Sequence, residues 1–593
     1  MKNGSPLSRY VLVCLCLTVL CLCLSLNTIA QKTATWYGQT FKIDTLYPAT
    51  GSTGMNSPWE VVYGPDDSLW VTEAHNYKIW KIHPGNKGAR MLLNLNSEKD
   101  FTNPTSWPQG GLMGLAIHPE FYTGKPWVYI AYVYHLIGCG STVCPTCASG
   151  ACSFNTKLVR CVYNFTNGSL SILDTVITNL HGSNDHNSGR IRISPLPESD
   201  GNYHLYYTIG DMGAGNLANA NRPNHAQDTM VIEGKTLRLN TEPDLTMPLS
   251  HRWIPGDNPF PQGAAPAAKT PVYSFGHRNP QGLVFGSVNG GSSYILYSSE
   301  HGDKSDDEVN IILPHANYGW PKVAGLCDDN YTSTHNDSMY LANKSVISEK
   351  GFCDTTPTTL MEPLFTFYNW ARNPNNAAGA LSNNSWPTIA PSSIAFYGSG
   401  AIPGWNYSLL IPSLKNGMFR LKLKPDGLSI DSTQGPTDTL HYLAGLRLRN
   451  VTVAPTGDTL FVAVDNSCCA IDSSGQFGTA ATAEYKGFIL RMVYLTTLAV
   501  QDTVLAVHGD NGADHYTVWP NPAVGTVYIR SKTGGRKPLL AQLYDITGKP
   551  VLEKEASEDD FSIDVHGLVP GIYILRISNR NGLVQATEKI TIL

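Results

Sequence analysis

Six times along the chain an apolar run of strand length leads through a turn rich in Gly, Pro or Asp into a second apolar run that ends on a polar residue. The pairs are 61–63 with 69–71, 115–117 with 127–130, 191–193 with 205–208, 282–285 with 294–297, 394–397 with 409–411 and 451–453 with 460–463. Each reads as a β-hairpin that cannot bury both faces alone. Six such hairpins stacked around an axis bury their faces against one another and limit exposed edges, so the pattern predicts an all-β fold, a six-bladed β-propeller. Spacing between the copies is irregular, which places the extra residues in rim loops, and loops at one mouth of the central channel are where function is expected. Beyond about residue 500 the pattern changes to short strands alternating with turn dipeptides, as in Pro520-Asn521-Pro522, Thr547-Gly548 and Pro570-Gly571. That predicts a separate small β-sandwich.

The first 30 residues interrupt this scheme. Lys2 and Arg9 precede an apolar run over 10–26 and then Thr28-Ile29-Ala30, the layout of a cleaved secretory signal. The chain then divides into a signal peptide at 1–30, a propeller at 31–505 and a sandwich at 506–593, with no transmembrane span after cleavage. Its length of 593 residues suits this division, and 54 Gly and 38 Pro against 15% charged residues suit many short strands joined by tight turns. A formal charge of -5 with both signs mixed leaves no electrostatic footprint for nucleic acid or an anionic membrane surface. Four of the 13 cysteines lie in the signal, so the exported chain has an odd number and at least one stays unpaired. Cys139, Cys144, Cys147 and Cys152 imitate a metal-ligand spacing, but in an exported Gly/Ser-rich loop disulfides are the better reading. Cys327 with Cys353 is a candidate second bridge, and Cys468-Cys469 could bridge each other or pair elsewhere.

Several stretches hold polar residues at a density that strands and turns do not require. Asn184-Asp185-His186-Asn187-Ser188-Gly189-Arg190 precedes the third hairpin, whose second strand runs into Gly210-Asp211. A histidine with a carboxylate at the adjoining strand mouth makes a general base, because the carboxylate holds one ring nitrogen protonated and leaves the other free. A structural histidine fits equally well. Arg278-Asn279 in Gly276-His277-Arg278-Asn279-Pro280 offers a fixed cation beside an amide, or a turn-stabilising arginine. Glu300-His301-Gly302-Asp303-Lys304-Ser305-Asp306-Asp307-Glu308 is an acid-rich loop opened by glycine, as oxygen-ligated calcium requires, or else a solvated acidic loop. Lys415, Arg447 and Arg449 stand at hairpin edges. Facing one channel, they would bind a cofactor carrying several carboxylates.

These stretches carry a resemblance. Gln109-Gly110-Gly111-Leu112-Met113-Gly114, the His186 stretch, 276–283, 305–308 running to Asn317-Tyr318-Gly319-Trp320-Pro321, 386–393, Ser413-Leu414-Lys415 and Arg447-Leu448-Arg449 occur in order. Together they resemble the soluble pyrroloquinoline-quinone-dependent glucose/aldose sugar dehydrogenases, over roughly residues 59–493, and that family is a six-bladed propeller. The resemblance implies His186 as the base that takes the anomeric hydroxyl proton, Asp211 as its orienting carboxylate and Arg278 as the stabiliser of charge on the quinone. It implies cofactor contacts from Gln109, Arg278, Asn279, Lys415, Arg447 and Arg449, and Ca2+ held through main-chain oxygens of Gly302 and Asp303. Sugar contacts are implied for Gln109, Asp185, Asn216, Leu217 and Trp386. Asn216 stands where the best-known members have Gln, and Asn383 near where they have Tyr, so aldose oxidation carries over and a preference for glucose does not. The last 80 residues or so resemble the C-terminal sorting domain of the type IX secretion system.

The reading is therefore an aldose or oligosaccharide 1-dehydrogenase that yields a lactone and passes electrons to an external acceptor. Export would run through the periplasm and then, by the type IX machinery, across the outer membrane to the surface or beyond. The alternative is a non-catalytic carbohydrate-binding propeller of the cell surface. A lactonase on a similar propeller would need carboxylates spread around a central metal, and the chain shows no such set.

Overall fold

In the computed structural model, the described residues are 32–49, 53–102, 107–139, 152–215, 219, 222–262, 265–303, 305–329, 349–355, 359–368, 388–432, 440–465, 485–495, 516–531, 539–545, 549–558, 560–579 and 584–592. The expected signal peptide, Cys144, Cys147, Cys468, Cys469, and the implied sugar contacts Asn216, Leu217 and Trp386, with Asn383, lie outside them. The described chain is mostly β, with one α-helix, Glu349–Thr355. By contacts it divides into two compact units, Met1–Tyr494 and Leu495–Leu593.

All six expected hairpins are present as antiparallel pairs, with register partners such as Val62↔Trp70, Ala116↔Tyr129, Arg192↔Tyr206, Val284↔Tyr297, Phe396↔Leu409 and Thr452↔Phe461. Each hairpin heads a larger sheet that the sequence pattern does not show in full. Five sheets have four strands in chain order, for example Pro58–Tyr63, Leu69–Glu73, Lys78–Ile82 and Ala89–Asn94. In the sixth, Leu448–Val453, Thr459–Val464 and Ile489–Leu495 are continued by Gln39–Tyr47 and Lys32–Trp36 from the other end of the chain.

The leading strands pack on one another in cyclic order: Pro58–Tyr63 on Leu112–Ile117, then Ile191–Ile193, Pro280–Val288, Ala395–Tyr397, Leu448–Val453 and back to Pro58–Tyr63. An apolar cluster fills the space between each adjacent pair of sheets, as where Leu205, Leu237 and Ile209 meet Tyr129 and Ala131 or Tyr297 and Val309 meet Leu409 and Phe419. Burial between sheets, more than strand pairing within them, is what the alternating apolar positions supply. Arg190 is fully buried and donates to Gln281 O, Glu60 Oε2 and Ser392 O, while Asn450 Nδ2 donates to Glu60 Oε1. One guanidinium thus ties together residues of four sheets' leading segments.

In the second unit, Tyr516–Trp519, Thr526–Ser531 and Asp560–Asp564 form one antiparallel sheet. Pro550–Ala556, Leu539–Tyr544, Gly571–Asn579 and Val584–Ile592 form another. The two share an apolar core that includes Val527, Ile563, Leu543 and Leu575. Among the described residues Cys327 and Cys353 form a disulfide, as expected, and Cys161 is buried and free. The boundary expected near residue 505 falls among residues outside the described set. No helix among the described residues is long and apolar enough to cross a membrane.

Candidate active site

His186 lies just ahead of the third sheet, in a segment where His186 (φ 52°), Ser188 (φ 55°) and Gly189 (φ 93°) all take left-handed conformations. For the two non-glycine residues this costs on the order of 1 kcal/mol each, so neighbours must impose it. Asn187 does so: its Nδ2 donates to Gln109 O (2.9 Å) and Ser183 O (2.8 Å), its Oδ1 accepts from Ser183 N (2.7 Å), and its N donates to Gln109 Oε1 (2.9 Å). The turn therefore aims His186 at Asp211, which follows the strand His204–Ile209. His186 Nδ1 is 2.7 Å from Asp211 Oδ1, with both side chains buried.

Asp211 also accepts from Gly213 N (2.9 Å), Trp320 Nε1 (2.7 Å) and Asn224 Nδ2 (3.2 Å). A carboxylate with three such donors acts as an acceptor toward the imidazole, so Nδ1 donates, and in the neutral ring Nε2 then carries the lone pair. Nε2 lies 3.6 Å from Asp185 Oδ1, which also receives Gln109 Nε2 (3.4 Å). His186, the expected base, and two expected sugar contacts are thus one cluster.

Arg278 closes the other side. Its carbonyl accepts from Asp211 N (2.8 Å), its N donates to Glu300, and its guanidinium Nη2 is 3.4 Å from Asp303 Oδ1. Asn279 is fully buried; its Oδ1 accepts from Ser188 Oγ (3.0 Å), and its Nδ2 has no hydrogen-bond partner among the described residues. The alternative of a solvated acidic loop does not hold: Asp303, Ser305, Asp306, Asp307 and Glu308 are all buried. Burial pushes Asp307 up to about 6 despite the Lys415 charge and donation from the Ala390, Gly302 and Ile389 amides. Burial brings Lys415 down to about 8, with Asp307 opposing.

Arg447 and Arg449 converge on Asp465. Arg449 Nε donates to Asp465 Oδ2 (2.7 Å), and Arg447 Nε is 3.6 Å from Oδ1. Arg449 Nη1 also reaches Gln281 Oε1 (2.9 Å), and Arg447 Nη1 reaches Leu414 O (3.0 Å), next to Lys415. His301 stands among His186, Arg278 and Arg449; burial and those neighbours hold its imidazole well below the usual range.

These surroundings can be tested for fit to a quinone with carboxylates. The set offers four cations, each beside a carboxylate of Asp303, Asp307 or Asp465, together with amides and an unused buried donor at Asn279 Nδ2 that suits an anionic oxygen. At Gly302, an added Cβ would meet Ser305 O at 1.9 Å and Asp306 O at 2.5 Å, so only glycine fits against these main-chain oxygens. No cluster of three His, Cys, Asp or Glu side chains able to hold a metal occurs among the described residues, so a cation there would depend on such carbonyls. Both groups fit.

The sequence reading named His301, Asp307 and Trp320 within its motifs without giving any of them a role of its own, and it missed Asp465 and Asn224. A signal existed for Asp465, a polar residue just past the strand Thr459–Val464, as Asp211 lies just past His204–Ile209.

Comparison with known proteins agrees. The family model for glucose / sorbosone dehydrogenase matches residues 55–348, and that for a secretion system C-terminal sorting domain matches 517–593. Quinoprotein glucose dehydrogenase B of Acinetobacter calcoaceticus is 32% identical over 469 residues, covering 74% of this chain and 89% of that protein. Aldose sugar dehydrogenase YliI of Escherichia coli is 27% identical over 270 residues, 45% of this chain and 56% of that protein. A solved structure, the PQQ-bound aldose sugar dehydrogenase of Streptomyces coelicolor, overlays with a TM-score of 0.47 at 23% identity, covering 79% of this chain and 100% of that one. The chain belongs to the glucose/sorbosone dehydrogenase family of quinoproteins and carries a secretion-system sorting domain at its C-terminus.

Proposed function

We propose that this protein oxidises the anomeric carbon of aldoses or oligosaccharides to lactones, with pyrroloquinoline quinone as its cofactor and calcium beside it. The observation that carries this is the buried His186–Asp211 pair, which leaves Nε2 bare next to Asp185, with Arg278 bonded to the same loop. His186 Nε2 takes the proton of the C1 hydroxyl, and Asp211 stabilises the imidazolium that results. Arg278 supplies fixed positive charge where negative charge develops. Gln109 and Asp185 orient the sugar hydroxyls, and Asn216, Leu217 and Trp386 complete the sugar site. Lys415, Arg447, Arg449, Asn279 and Gln109 hold the cofactor's polar edge, and main-chain oxygens of Gly302 and Asp303 hold the calcium. When bound, the quinone supplies two-electron acceptance from the sugar carbon and passes the electrons to an external acceptor.

In this reading the six sheets are blades of one propeller within 31–505, the two C-terminal sheets are a sandwich within 506–593, and residues 1–30 are a cleaved signal. Type IX export then delivers the enzyme across the outer membrane to the surface or beyond. The test is reconstitution of the full chain with pyrroloquinoline quinone and calcium, followed by dye reduction over a panel of aldoses and oligosaccharides. His186→Ala should retain cofactor binding while turnover falls by about 100-fold or more. No turnover on any sugar, with no cofactor retained, would favour the non-catalytic propeller instead.

A further inference from the structure

We infer that Trp320 is a positioning residue that couples the two halves of the site, its indole N–H holding the carboxylate that orients His186 and its ring facing the Arg278 guanidinium. The inference rests on the assignment of His186 as base. Trp320 is 4% exposed, its Nε1 is 2.7 Å from Asp211 Oδ2, and Arg278 Cζ is 5.3 Å from its ring. The indole comes from 109 positions along the chain, so an independent part of the fold must hold it in place. Trp320 N donates to Gly276 O (3.0 Å), and Trp320 O accepts from Gln227 Nε2 (2.8 Å), which also reaches Asn317 Oδ1 (2.8 Å). The preceding Gly319 (φ 85°) has no room for a side chain, since a Cβ would meet Val323 Cβ at 2.8 Å. The indole is thus clamped from its own backbone.

The chemistry needs a tryptophan for two reasons. Indole N–H is donor-only, so it cannot compete with His186 as a donor-acceptor partner and keeps Asp211 an acceptor. The ring face attracts a guanidinium without neutralising it, so Arg278 is steered while its charge stays available. Trp320 and Asn224 occupy Oδ2, and His186 and Gly213 occupy Oδ1. Donation to Oδ2 draws charge away from Oδ1 and lowers the carboxylate's hold on an imidazolium. Removing it should therefore raise the pH at which His186 titrates. The other ionisable groups facing His186 are Asp185 at 3.6 Å, His301 and, through the shared loop, Arg278.

The experiment is an NMR titration of the His186 imidazole in the full chain, with and without bound pyrroloquinoline quinone and calcium, in Trp320→Phe and Asn224→Ala. Phe keeps a ring beneath Arg278 and loses the N–H, so the expected His186 midpoint rises by about one pH unit. Asn224→Ala, which removes the longer bond to the same oxygen, should raise it by less. In the loaded enzyme, the acid limb of kcat should move up by the same amount with KM unchanged, a change that mere loss of fold would not produce. A midpoint unmoved in both variants would overturn the inference whatever the turnover. A midpoint raised in the variants, with a parent chain that oxidises no sugar, would leave the coupling standing and sink the dehydrogenase reading.

Discussion

Arg190→Met tests the central tie of the fold. The guanidinium is fully buried, with Nη1 2.6 Å from Glu60 Oε2, Nε 2.9 Å from Gln281 O, Nη2 2.8 Å from Ser392 O and Cζ 4.0 Å from the Trp59 ring. Burial lowers its pKa to about 10, with Glu60 opposing, so it is a cation at neutral pH. Methionine fills much of the space and removes every donor. Breaking one partner out of a buried ion pair costs about 3 to 5 kcal/mol, and the low end applies because Glu60 keeps Arg192 (3.3 Å) and Asn450 (3.0 Å). Two carbonyls left without their donor add about 1 kcal/mol each, for about 5 kcal/mol in all. Removing the carboxylate as well, in R190M/E60L, should recover part of this loss, because the uncompensated charge goes with it. Urea unfolding followed by tryptophan fluorescence reads the difference from midpoints at a common slope. A Met variant within about 1 kcal/mol of the parent, or a double variant less stable than the single, would refute the argument. Because Gln281 accepts from Arg190 through its carbonyl and from Arg449 through its side chain, the variant should also weaken cofactor binding.

Two further outcomes follow from the same geometry. Lys415 titrates near 8, so its cation is present below that pH and lost above it; affinity of the cofactor-free chain for pyrroloquinoline quinone should fall about tenfold between pH 7 and 9, measured by fluorescence titration. Lys415→Met should abolish that dependence, and a wild-type affinity flat across the range would count against the assignment. The Cys327–Cys353 bridge spans a sequence separation of 26, and replacing both cysteines by serine should lower unfolding stability by about 3 kcal/mol from loop closure. A melt unchanged by the double substitution would show that the closed loop adds nothing.

The inner hairpins and their order were legible along the chain because strand periodicity and turn residues are local properties. So were His186, Arg278 and the cationic stretches, as residue types at given places. The outer strands were not: Ala89–Asn94 has no alternation that distinguishes it from a loop, and Lys32–Trp36 and Gln39–Tyr47 complete a sheet whose other strands begin at residue 448. Nor did spacing distinguish a solvated acidic loop from the buried one at 305–308, since burial depends on what packs over it.

The chain by itself determined a repeated β architecture, a distinct C-terminal module and the inventory of groups available for chemistry. Only the tertiary structure decided which of them meet. Asp211 acquires Trp320 and Asn224, Arg447 and Arg449 acquire Asp465, and Lys415 acquires Asp307. The physical reason is that hairpin formation depends on neighbours along the chain, whereas the charge and tautomer of a buried group depend on whatever the fold brings within a few ångströms of it.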